Sequence, residues 1–164
     1  IYAKREIMEN DHERFFEEAA REATKALCMK DKCGAVVVIN AEVVGRGYNG
    51  PPLNNVNRRK CRLNLVNSRK LKSDRTCCVH AEHRAVMSAL MGRGQLLTDG
   101  TLYFTRVDEA GKILRSGEPY CTVCSREALD AGLKFFALWH EEGIRIYSTL
   151  EYNELSYAFH EQSN

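Results

Sequence analysis

The spacing of apolar residues changes period several times along this chain. From Asp11 to Met29 they fall at Phe15, Ala19, Ala23, Ala26 and Leu27, mostly three or four apart, with Glu17, Glu18, Arg21 and Lys25 between them. Such spacing puts apolar groups on one side of a helix and charges on the other, so an amphipathic helix is predicted, capped by Asn10 or Asp11. Asp11 and Glu13 also suit the positive end of the helix dipole. The pattern then becomes continuous. Gly34 to Ile39, with three successive valines, reads as a buried strand, and Glu42 to Tyr48 as its hairpin partner across Asn40-Ala41. Asn49-Gly50-Pro51-Pro52 is a turn.

Helical spacing returns from about Val79 to Met91, where Ala85, Val86, Ala89 and Leu90 form an apolar face and Gly92 supplies a stop. Thr101 to Val107 is a third strand. A turn containing Gly111 leads back through Lys112 to Arg115, and Cys124 to Ala131 is a third helix. Leu133 to Trp139 and Ile144 to Ser148 are both strand-like, separated only by His140-Glu141-Glu142-Gly143. A parallel crossover needs about a dozen residues, so this pair is predicted to be antiparallel. A short helix from about Glu151 to Phe159 closes the pattern.

Composition narrows the class. The chain has 164 residues, of which 44% are hydrophobic, enough apolar mass for one domain with a genuine core. No apolar run approaches the roughly 20 residues of a membrane span, and Ile1 to Glu9 is charged where a signal peptide is apolar, so a cytoplasmic location without membrane contact is expected. Seven cysteines, an odd number with Cys77 and Cys78 adjacent, suit reduced thiols and metal ligands better than a disulfide framework. The net charge of +2 is too small to argue for nucleic acid, but it is unevenly spread. Segment 58–75 holds Arg58, Arg59, Lys60, Arg62, Arg69, Lys70, Lys72 and Arg75 against Asp74 alone, a local balance of +7. Two readings stand for this basic insertion: a solvated loop, or a flap contacting nucleotide phosphates.

The chemistry concentrates in two short motifs, His80-Ala81-Glu82 and Pro119-Tyr120-Cys121-Thr122-Val123-Cys124. One imidazole and two thiolates match the three protein ligands of a catalytic zinc site, which leaves a fourth position for water whose pKa falls to about 7 on coordination. Positions i and i+2 of a helix point about 200° apart, so His80 and Glu82 cannot both serve one ion from mid-helix and must lie where the backbone departs from helical form. Thiolates at a helix amino terminus are favoured by unsatisfied N–H groups.

At His80-Ala81-Glu82 and Cys121-Thr122-Val123-Cys124 the chain resembles the cytidine and deoxycytidylate deaminase superfamily, whose zinc nucleobase deaminases carry H-x-E and P-C-x-x-C. The resemblance covers roughly residues 11 to 150. It implies a three-layer α-β-α fold on a mixed five-stranded sheet, Zn2+ held by His80, Cys121 and Cys124, Glu82 as proton carrier, and the Ala81 N–H against the base carbonyl. It also implies a small-molecule nucleoside or nucleotide substrate and a homo-oligomer. Gly45-Arg46-Gly47-Tyr48-Asn49-Gly50-Pro51-Pro52 is similar to the strand and turn of deoxycytidylate deaminases, where the asparagine holds the sugar. Asn49 inherits that role by resemblance, beside its plain reading as a turn residue.

The chain departs from the family in three places. Tyr120 stands between the proline and the first cysteine, the link from the third strand to Cys121 is long, and the antiparallel pair predicted at the end resembles free cytidine deaminases instead of deoxycytidylate deaminases. Deamination of another base, of adenine or guanine type or within nucleic acid, stays open, as does a non-catalytic zinc-stabilised module binding nucleic acid through the basic loop. Among secondary candidates, His83 reads as a hydrogen bonder behind the ligands or a surface histidine. Cys33, Cys61, Cys77 and Cys78 read as a second, structural zinc site, with small buried hydrophobes the alternative for Cys33 and Cys28. Trp139 reads as a base-stacking residue or a sheet-packing one.

Overall fold

The computed structural model describes residues 8–60 and 77–161. Helix α1 spans Glu9–Ala23 and is followed by strands β1 (Lys32–Ile39) and β2 (Glu42–Tyr48). Helix α2 spans Ala81–Arg93, β3 Thr101–Val107, β4 Ile113–Leu114 and α3 Thr122–Asp130. Strands β5 (Phe135–His140) and β6 (Gly143–Ser148) and helix α4 (Thr149–Glu161) complete the order. The strands form one mixed sheet in the order β2-β1-β3-β5-β6, with β4 added against β3. Only β3 and β5 run parallel; β5 and β6 form the antiparallel hairpin that their four-residue connection required. The expected three layers are present, but the sheet has six strands among the described residues, not five. β4 is too short to leave a periodic signal, and it exists because Arg106 and Val107 offer it a free edge.

Alternation along β1 explains the layers. Val36 and Val38 face one way, packing with Tyr103 and Ala137 against Phe15, Phe16 and Ala19 of α1. Ala35, Val37 and Ile39 face the other way, with Leu102, Phe104, Phe136 and Leu138, against Ala81, Ala85, Ala89, Ala128 and Tyr152 of the remaining helices. The hairpin between β1 and β2 closes through Asn40 and Ala41, both at positive φ (52° and 60°), the geometry that matches strand twist.

Helix boundaries differ from the sequence expectation at most ends: α2 opens at Ala81 instead of Val79, α3 runs Thr122–Asp130 instead of Cys124 to Ala131, and α4 Thr149–Glu161 instead of Glu151 to Phe159. α1 stops at Ala23 instead of Met29, because the Leu27 N–H is drawn to the Asn49 carbonyl at 3.0 Å. Neither Asn10 nor Asp11 is its cap: Met8 is, and Asp11 accepts from the Met8 N–H at 3.2 Å from three residues inside. α2 continues through Gly92 and ends at Gly94, which takes the left-handed conformation (φ 65°) and bonds the Leu90 carbonyl. A glycine inside a helix costs only about 1 kcal/mol, so the second glycine can serve as the stop.

Candidate active site

Two helices open at one point in space. His80 is the residue capping α2, with extended backbone (φ −70°, ψ 152°), while Ala81 and Glu82 already belong to the first turn. The i, i+2 conflict is thereby resolved, since His80 leaves the helix and Glu82 stays in it. Cys121 caps α3 in the same way (φ −83°, ψ 94°), its Sγ accepting from the Cys124 N–H at 3.4 Å. The N–H groups of Ala81, Glu82 and His83 lie in the first turn of α2, where a helix has no internal acceptors for them.

These ends bring His80 Nδ1 to 3.1 Å from Cys124 Sγ and 3.5 Å from Cys121 Sγ, with the two sulfurs 2.7 Å apart. Among the described residues this is the group of three whose donor atoms close on a common point. The donor set fits zinc: one imidazole nitrogen and two thiols, both thiols only 2% exposed. Zinc bond lengths of about 2.0–2.3 Å ask the donors to part slightly. A hydrogen bond from Cys124, helped by His80, pulls the Cys121 thiol down to about 5. The bond to Cys121 holds His80 up at about 9, and Cys121 together with burial pushes Cys124 well up.

Glu82 is 6% exposed and is not one of the three donors. Burial, then the Cys121 charge, pushes its carboxyl up to about 7, so it can both accept and release a proton near neutrality. Behind the ligands, His83 Nδ1 meets Glu127 Oε2 at 2.5 Å, joining α2 to α3. A cavity of about 300 Å³ lies there, lined by Cys78, Val79, His80, His83, Val123, Cys124 and Glu127. His83 is thus a helix-to-helix tie beside the ligands.

Asn49 is buried, and its side chain is committed to the backbone: Oδ1 accepts from the Cys33 N–H at 2.9 Å and Nδ2 donates to the Asp31 carbonyl at 2.8 Å. One N–H and one lone pair remain by the inventory of a side-chain amide. Arg84, which no sequence motif singles out, organises the adjacent turn. Its guanidinium donates to the Tyr48, Gly50 and Pro51 carbonyls and to Asn54 Oδ1, at 2.6–3.2 Å. A lone arginine on a helix carries no local signal for acceptors thirty or more residues away.

The other candidates fall outside the ligand cluster. The Cys28 thiol meets that of Cys78, which lowers it to about 5, while Cys33 is pushed up by burial. Cys61 and most of the basic segment lie outside the described residues; Arg59, at its edge, donates to the Leu27 carbonyl at 2.6 Å. Trp139 packs beside Phe16 of α1, on the sheet face away from α2 and α3, with the Arg115 guanidinium 3.9 Å over its ring. No helix among the described residues is long and apolar enough to cross a membrane.

The family described as "Cytidine and deoxycytidylate deaminase zinc-binding region" matches residues 9–138. Over 92 residues the chain is 36% identical to the deoxycytidylate deaminase of Schizosaccharomyces pombe, and over 93 residues 39% identical to that of Saccharomyces cerevisiae. Each match covers 54% of this chain but 28% of the relative, so the chain spans little more than a quarter of these relatives' length. Among solved structures, dCMP deaminase from the cyanophage S-TIM5 in complex with dCMP and dUMP is similar with a TM-score of 0.55 and 21% identity, covering 80% of this chain and 82% of that one. Cytidine deaminase from Burkholderia pseudomallei has a TM-score of 0.55 and 18% identity, covering 86% and 94%. At these identities the two structures attest the fold.

Proposed function

Because the chain belongs to the cytidine and deoxycytidylate deaminase zinc-binding family, we propose that it hydrolyses the exocyclic amine of a cytosine-type nucleotide or nucleoside, releasing ammonia and the uracil product. The observation that carries this reading is the meeting of His80, Cys121 and Cys124 at two helix ends with the buried carboxyl of Glu82 beside them. Zinc bound by the three donors supplies a Lewis acid that lowers the pKa of water to about 7.

The chain's own groups do the rest. Glu82 takes a proton from the attacking water and hands it to the ring nitrogen N3 while the water oxygen adds to C4. It then carries the second proton to the amino group, and the C4–N bond breaks as ammonia leaves. One carboxylate acts as base and then as acid, which its raised pKa suits. On this reading the Ala81 N–H, in the first turn of α2, donates to the base carbonyl, and the remaining N–H and lone pair of Asn49 bind the sugar. His83 and Glu127 hold the two ligand-bearing helices together behind the chemistry.

A nucleotide is the favoured substrate. The relatives named above are deoxycytidylate deaminases, and the basic segment from Arg58 offers cations for a phosphate. The antiparallel β5–β6 hairpin favours a free nucleoside as the second reading. On the same account the protein works in the cytoplasm as a homo-oligomer, which the exposed Met87 and Met91 on one side of α2 suit. The test is ammonia release by zinc-loaded protein from cytosine, cytidine, deoxycytidine, CMP, dCMP, adenosine and guanine. Turnover of dCMP above deoxycytidine supports the nucleotide reading. The reverse order supports the nucleoside, and silence across the panel removes both.

A further inference from the structure

The peptide that delivers the first thiolate is short of local support. Pro119 fixes its own φ and restricts Glu118 before it, but it does not reach past Tyr120 to Cys121. Among the described residues, the backbone of 117–120 takes part in a single hydrogen bond, accepted by the Tyr120 carbonyl from His160 Nε2 at 2.8 Å. The Tyr120 ring meets Phe159 at a centroid distance of 6.2 Å, and Phe159 meets His160 edge-on. Both partners sit at the far end of α4.

That helix is itself fixed to α3 and to β5. Asn153 Nδ2 donates to Ser125 Oγ at 2.8 Å, Ser156 Oγ lies 3.3 Å from the same atom, and the Tyr152 ring stacks on Phe136 at 3.8 Å. Asn153, Ser156 and His160 recur at i, i+3 and i+7, one face of a helix. This face grips α3 at Ser125 and then reaches the residue before Cys121. A rigid element therefore holds the end of the metal-binding turn that the turn's own sequence leaves free.

We propose that His160 and Phe159 are positioning residues for the zinc site, holding the Tyr120–Cys121 peptide so that the last helix sets where the Cys121 thiolate points. The proposal rests on the reading of Cys121 as a zinc ligand. Its test is the rate at which the zinc-loaded full chain yields its metal to an excess of the chromophoric chelator 4-(2-pyridylazo)resorcinol. Groups that orient metal ligands typically change affinity by 10–100-fold, so His160→Ala releases zinc roughly tenfold faster than the parent. Phe159→Ala releases it faster by a smaller factor.

His160→Gln, whose amide can donate to the same carbonyl, restores most of the slow release, which a role in general stability would not produce. His160 is exposed, so far-UV circular dichroism and the melting midpoint of its variants stay close to the parent's. Parent-like release from both alanine variants overturns the proposal, as does a glutamine variant no slower than alanine. A parent chain that takes up no zinc overturns the ligand assignment itself, and the positioning role with it.

Discussion

The two helix ends that meet at the metal site are held by different means. At α2 the support is close backbone packing: a Cβ on Gly47 would lie 2.3 Å from the Ala81 carbonyl oxygen, and one on Gly45 2.3 Å from that of Ala85. Two glycines in β2 let the helix carrying His80 and Glu82 lie directly on the sheet, and Arg84 then ties its first turn to the 48–54 loop. At α3 the chain arrives by a long link, in which a Cβ on Gly117 would meet nothing within 4 Å. Cys121 is steadied there from α4. A site assembled from two helix ends thus needs one end fixed by the sheet and the other adjusted by side chains.

The largest effects belong to the point both ends share. His80→Ala at one end and Cys124→Ser at the other each remove a donor, and each lowers zinc affinity by more than the 10–100-fold typical of groups behind the ligands. Metal analysis of the purified variants measures it, and a variant that keeps the parent's zinc content removes that residue from the ligand set. The contrast in packing comes next. Gly47→Ala forces a Cβ against backbone atoms and costs about 3 kcal/mol in urea denaturation, whereas Gly117→Ala stays within about 0.5 kcal/mol. Equal costs at the two positions would mean that the two helix ends are packed alike.

Arg84→Ala leaves α2 formed but frees the 48–54 loop, at a cost of about 1–2 kcal/mol for its lost hydrogen bonds. Steady-state kinetics then show KM rising more than kcat falls, since Glu82 is untouched; a fall in kcat alone contradicts the loop's role in binding. The smallest effect lies on the other face of the sheet. There Arg46, through a hydrogen bond at 2.6 Å, holds the Glu18 carboxyl below its ordinary value. A carboxyl depressed in the folded state contributes stability above its unfolded pKa and loses it as pH falls through the folded value. Glu18→Gln is therefore slightly less stable than the parent at pH 7, by well under about 1 kcal/mol for so exposed a pair. The gap closes below the usual glutamate range, and denaturation midpoints at both pH values measure it.

The α2 end was more legible in the sequence than the α3 end, for reasons that can be traced to residues. His80 and Glu82 two apart excluded a mid-helix location, and the observed extended cap at His80 follows from that geometry alone. The β5–β6 hairpin was legible because four residues cannot make a parallel crossover. Boundaries were less so: Gly92 and Gly94 are equivalent as sequence signals, and only the C-cap bond to Leu90 chooses between them. Leu27 carries helical spacing but is taken by Asn49, a contact spanning two elements. Arg84 and His160 act on partners thirty or more residues away, so nothing in their neighbours announced them.

On the proposed function, zinc binding belongs to His80, Cys121 and Cys124 and proton transfer to Glu82, different residues of one site. Glu82→Gln separates them, and the measurement is zinc content and ammonia release from dCMP on the same preparation, parent and variant side by side. The variant is expected to hold zinc equal to the parent's, with turnover lowered by at least the roughly 10²–10⁴-fold of a lost general acid–base group. Undiminished turnover, or loss of zinc together with activity, would contradict that division of roles.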